Sequence, residues 1–224
     1  MIRSLLYYLL ALLLAGCASA HSLTQAGFQP TEAPAMPFTT PISAIGSIQR
    51  GNQVVFDSAA TRASVGLLRR QLRAQQAGLR LSGELVIPDS LRLQAEQEIG
   101  RAVAALNSRP QLGGGANLPV LDYLLQQQGQ RYVFVTAARG FTRSPGNYGG
   151  QVAKSIGVGL LTMGMLVPVS VKARSEIGVF VYDAQQRAIV YYCHTSPIEH
   201  EPLDETSVAK QLRTMLAKDY TFGP

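Results

Sequence analysis

The stretch "IGVFVYDAQQRAIVYY", residues 177–192, decides the fold. β-Branched and aromatic residues predominate over 176–182 and again over 187–192, and Asp183-Ala184-Gln185-Gln186 separates the two runs. Two such runs joined by a short, Asp-led polar link predict an antiparallel hairpin. Upstream, Tyr132-Val133-Phe134-Val135-Thr136 lacks polar alternation and reads as a strand buried on both faces. Downstream, 205–218 has helical spacing with Val208, Leu212, Met215 and Leu216 on the inner side.

Working back toward the start, Pro119 opens a helix that runs to Gln127, and Gly129 ends it. Asp89 or Ser90 caps an earlier helix whose inner face is Ala95, Ile99, Val103 and Leu106. Before it lie a strand at 79–87, a helix at 58–77 with Val65, Leu68, Leu72 and Leu79 in a stripe, and a short strand at 53–56. The order predicts an α/β or α+β fold, a single two-layer domain over 50–224 with a mixed, mostly antiparallel sheet covered by helices. About 170 residues suffice for one core.

The chain begins differently. Arg3 precedes an apolar run over 5–15, followed by small residues. A membrane-crossing helix needs roughly 20 apolar residues, so this run reads as an export signal over 1–16. Leu14-Ala15-Gly16-Cys17 resembles the lipobox of bacterial lipoproteins. The resemblance implies cleavage before Cys17, diacylglycerylation of its thiol and a palmitate-type acyl chain on the new amine. Ala18 rather than Asp then implies the outer membrane, facing the periplasm. Two or more acyl chains anchor a protein stably where one does not. The stretch 17–48 holds Pro30, Pro34, Pro37 and Pro41 with Glu32 as its one charge. It is expected to be a flexible tether able to hold the domain many tens of Å from the lipid. Phe28, Met36, Phe38 and Ile42 are the residues by which it would dock instead. With Cys17 lipidated, Cys193 has no intrachain partner, so no disulfide framework is expected.

"LDYLLQQQGQRYVFVTA", residues 121–137, and the hairpin 177–192 resemble the α/β domain shared by the curli secretion channel, the penicillin-binding-protein activator lipoproteins and the TolB N-terminal domain. The resemblance spans about 115–220 and implies a binding or assembly role in the envelope, with no catalytic motif to carry over. The stretch 144–172 departs from the two amphipathic hairpins of a curli-type channel, which speaks against a pore of that kind.

Candidate surfaces are few. Arg62, Arg69, Arg73 and Arg80 fall within about 20° of one line at 100° per residue, and no acid occurs between Ser58 and Gly83. Arg131, Arg139, Arg143, Lys154, Lys172 and Arg174 form a second basic region against Glu176, within a formal charge of +6. The arginine stripe is a candidate contact for an anionic surface such as lipid headgroups. The address excludes nucleic acid. The run 155–170 is the most apolar after the signal, and Leu160, Leu161, Met163, Met165 and Leu166 are its candidate interface residues. "GNYGGQVAKS", 146–155, is no phosphate loop: Ala153 precedes Lys154-Ser155 and Tyr148 stands where a Gly belongs. Cys193, His194 and His200 match no catalytic or metal spacing, and Glu96 and Glu98 point apart on a helix.

No catalytic residue, cofactor or metal is expected. The reading is a non-catalytic, lipid-anchored envelope protein that acts by contact with another protein or by self-association. The alternatives are a membrane-inserted oligomer using 155–170 and a thiol enzyme using Cys193.

Overall fold

The computed structural model describes residues 21–49, 53–113, 116–143 and 172–222. The expected signal peptide 1–16, Cys17 and the candidate interface Leu160, Leu161, Met163, Met165 and Leu166 lie outside these residues. The described residues form one mixed sheet of eight strands and four helices. The strands are β1 (His21–Thr24), β2 (Met36–Phe38), β3 (Ile42–Ile48), β4 (Val54–Phe56), β5 (Leu81–Glu84), β6 (Tyr132–Arg143), β7 (Arg174–Asp183) and β8 (Ala188–His194). The helices are α1 (Ser58–Ala74), α2 (Asp89–Ser108), α3 (Pro119–Gln127) and α4 (Glu205–Leu216).

The hairpin forms as expected, with β7 and β8 antiparallel around a turn. Asp183 governs that turn: its Oδ1 accepts from the N–H groups of Gln185 and Gln186, and its Oδ2 from Nε and Nη2 of Arg131. β6 continues seven residues beyond Thr136 and pairs with β7 along ten positions. At Gly140 the backbone oxygen of Arg174 occupies the space a Cβ would need, so only glycine lets the two strands close there.

The stretch 17–48 departs from expectation. From His21 on it is not a tether but three strands. β1 pairs antiparallel with β8, β2 lies parallel between β5 and β6, and β3 runs parallel to the lower half of β6. The prolines Pro37 and Pro41 sit at the margins of the ladders. Pro41 sits just ahead of β3, and Pro37 at a shift of register between β2 and β5. Phe28, Met36 and Phe38 are buried in the core and Ile42 packs against its second half.

The layering also differs. Where two layers are expected, helices cover both faces. One face of the sheet, with Phe38, Phe134, Val179, Val181 and Tyr191, packs under α1 and α4. The other, with Val133, Val135, Phe180, Tyr182 and Tyr192, packs under α2 and α3. A strand apolar on both faces requires cover on both, which makes three layers. The first helix ends at Ala74, three residues short of the expected end, and a turn carries Leu79 into the core.

The end of the sheet where β6 finishes at Arg143 and β7 begins at Arg174 is termed the foot. The described chain breaks off there at Arg143, the last residue of β6, and resumes at Lys172, two residues before β7. β3 and β4 form a hairpin that also points to the foot, pairing Ile48 with Val54.

Candidate functional site

The arginine stripe does not stay together. α1 climbs away from the foot: Thr61 reaches the backbone of Ile45, Ser64 bonds Ser43, and Arg69 bonds Thr40. Arg62, exposed near the start of α1, is the member nearest the foot. Arg69 and Arg73 reach across to β5, each with Nη2 2.9 Å from an oxygen of Glu84. Thr40 donates to the same carboxylate at 2.8 Å. Arg80 lies beyond the helix at φ 53° and donates to the carbonyl of Thr31. The acid missing from 58–83 is supplied by residue 84, so half of the stripe carries a structural load. Among the described residues Arg62 and Arg80 make no ion pair, and Arg80 is held by a carbonyl instead.

The second basic region is likewise divided. Arg131 pairs with Asp183, and its guanidinium lies 4.7 Å from the centroid of the Tyr132 ring. Arg139 grips Glu176 with two hydrogen bonds of 2.8 Å, and these raise the affinity of its guanidinium for its proton. Around that pair, Ala44, Gly140, Phe141 and Arg174 line an open hollow of ≈330 Å³ on the part of the sheet that α2 leaves bare.

Cys193 is fully buried, and its Sγ lies 3.4 Å from the carbonyl of Met215. Burial pushes the thiol up to about 11, so it carries almost no thiolate at neutral pH. His194 stacks on Tyr192 on the opposite face of the strand, with ring centroids 5.3 Å apart. His200 is exposed six residues on. The three do not converge. Among the described residues no group of three His, Cys, Asp or Glu side chains could hold a metal ion, and no helix is long and apolar enough to cross a membrane.

The geometry does assemble a cleft that sequence reading missed. It opens between the second half of α2 and the 109–118 connection, and holds ≈570 Å³. Ala102, Leu106, Leu118 and Ile189 form an apolar floor, while Arg101 and Arg109 stand on its rim. Glu98 is the one carboxylate among its lining residues, and it is buried. Both of its oxygens accept from the N–H of Val120, at 3.1 and 3.0 Å, so the charge caps the positive end of α3. Such a cleft supplies apolar contact and two cations but no free acid or base. Glu98 could not be singled out from sequence, because the helix end it serves lies 22 residues away.

No protein-family model matches the chain, and no curated protein is significantly similar to it. Among solved structures it is similar to a dodecamer of a PelC variant from Paraburkholderia phytofirmans, at 11% identity and TM-score 0.40, covering 89% of this chain and 93% of that one. A second PelC dodecamer from the same organism gives 11% and 0.38, covering 89% and 92%. The C-terminal domain of LpoB from Salmonella enterica gives 10% and 0.30, covering 79% and 88%. Likeness at this level says nothing of what this chain does.

Proposed function

We propose that the protein is a lipid-anchored component of the cell envelope, held at the outer membrane through Cys17 and facing the periplasm. It works without catalysis, by gripping another envelope protein. The lipobox-like Leu14-Ala15-Gly16-Cys17 supports the address. The observation that carries the mode of action is the cleft beside α2. Its floor is apolar, its rim is cationic, and its one carboxylate is committed to α3. That chemistry receives an aliphatic side chain flanked by acidic residues, and it activates nothing. The buried, protonated thiol of Cys193 supports no nucleophilic role.

The test has two parts. Mass spectrometry of the native protein is expected to show an acylated N-terminal cysteine at position 17, and Cys17→Ala to release the protein from membranes. A photo-reactive amino acid at Ala105, in the cleft, is expected to give a discrete adduct in living cells. Arg101→Glu with Arg109→Glu should abolish that adduct while the fold is retained. An adduct indifferent to both charge reversals would refute the cleft as the contact.

A second reading keeps one observation. The described residues that flank the apolar run, Arg143 at the end of β6 and Arg174 at the start of β7, lie at the same end as the exposed β3–β4 hairpin. An oligomer built through that end would show as a high mass on gentle detergent extraction.

A further inference from the structure

The tip of the β3–β4 hairpin is the most exposed apolar feature of the sheet. Val54 and Phe56 are 67% and 65% exposed, and Val55 is 41% exposed. Natural sheets guard an open edge with charge, proline or cover. β5 shows the contrast: Glu84 at its end is held by two arginines and Thr40. β4 carries no charge at all. Among the described residues the other strongly exposed apolar side chains, Val86, Leu93 and Tyr123, stand on or beside the helices.

The length of the chain before β1 says what lies against this tip. We infer that the foot of the domain rests on the membrane, with Val54, Val55 and Phe56 in the headgroup layer. The inference depends on the lipid-anchor reading of Cys17 given above. Three residues separate Cys17 from His21. Four Cα steps span at most about 14 Å even when fully extended. His21 pairs with His194, His194 with Gly178, Gly178 with Ala137, and Ala137 with Ile42, one row across the sheet. From that row β3 runs six residues further to Ile48 at the tip, about 20 Å at the rise of a strand. β1 enters its strand from the foot side, antiparallel to β8. With β3 and β6 standing upright on the bilayer, an acyl anchor on so short a leash does not reach the lipid unless the tip reaches it first.

Charge does not set this orientation. Arg62, Lys172 and Arg174 are exposed toward the foot, but Glu199 and Glu201 stand beside Lys172. Contact through the apolar tip therefore predicts weak dependence on salt and on anionic lipid.

The test uses the full lipidated chain in vesicles of phosphatidylethanolamine and phosphatidylglycerol. Val54→Cys and Phe56→Cys carry an environment-sensitive fluorophore; Leu93→Cys, on α2, is the control, and Cys193 is buried and stays unlabelled. Emission at 54 and 56 is expected to shift to the blue. Lipid-borne headgroup quenchers should act there several-fold more strongly than at 93, with little change on adding salt. Equal quenching at 54, 56 and 93 on a protein of acylated mass overturns the inference and leaves the anchor standing. Blue emission that lipid quenchers do not reach means a second copy covers the tip, and also overturns it. A bare thiol at Cys17 removes the anchor reading and this inference together.

Discussion

Phe38 tests whether the proline-rich stretch belongs to the core. It is fully buried on β2, between β5 and β6, among Phe134, Leu68, Leu72 and Leu81. Its carbonyl accepts from Leu85, and the next residue, Thr39, donates to Phe134. Phe38→Ala removes a ring from a closed site between two layers, which costs about 3–5 kcal/mol in transfer and cavity terms. That is a large share of a total stability of about 5–15 kcal/mol. With a urea slope of about 2 kcal/mol/M, the midpoint should fall by about 2 M. Phe56→Ala, on the exposed tip of β4, should move it by less than about 0.3 M, since surface substitutions stay within about 0.5 kcal/mol. The assay is urea titration followed by far-ultraviolet circular dichroism on the two variants in parallel. A tether would make both changes neutral. Equal and small shifts for Phe38→Ala and Phe56→Ala would refute the placement of 36–38 in the sheet, and with it the short leash.

Other outcomes follow from the same structure. Asp183→Ala removes four hydrogen bonds at the β7–β8 turn. Because Arg131 stays partly in water, the expected loss is about 2 kcal/mol, and thermal melting should show it. Tyr182, Tyr191, Tyr192 and Tyr220 are all held above the ordinary tyrosine range, chiefly by burial, Tyr192 to about 12. The folded state therefore keeps protons that the unfolded chain gives up near its ordinary value of about 10. Stability is fully present below about pH 10 and falls as pH rises toward 12, so tyrosinate absorbance at these sites should rise together with unfolding. Non-cooperative titration of every tyrosine near pH 10 would contradict this. Cys193 should resist iodoacetamide at pH 8 in the native protein and react once urea unfolds it; rapid native labelling would show an accessible thiolate.

Residues with strong local signals were legible. The hairpin around Asp183, the helix opened by Pro119 and closed at Gly129 with φ 62°, and the buried faces of α1 and α4 follow from periodicity and turn chemistry carried by neighbours in the chain. The 21–48 stretch was not legible as sheet. β2 is three residues long and β1 four, too short for any period to show. Their partners lie 45 to 173 positions away along the chain. The prolines that favour an extended chain in a tether favour it equally in or beside a short strand.

The sites divide the same way. By itself the sequence determined the mixed α/β class, the lipobox-like start, the excess of basic residues and the lack of a catalytic spacing, because each is a property of residue type and near-neighbour order. Only the tertiary structure decided which arginines are free. Glu84 takes Arg69 and Arg73, Glu176 takes Arg139 and Asp183 takes Arg131. It alone made a cleft beside α2, put Glu98 under α3 and left Val54, Val55 and Phe56 at an open edge. Pairing and burial are settled by what the packed layers bring within a few Å, and residues far apart in the chain meet only once the sheet has formed.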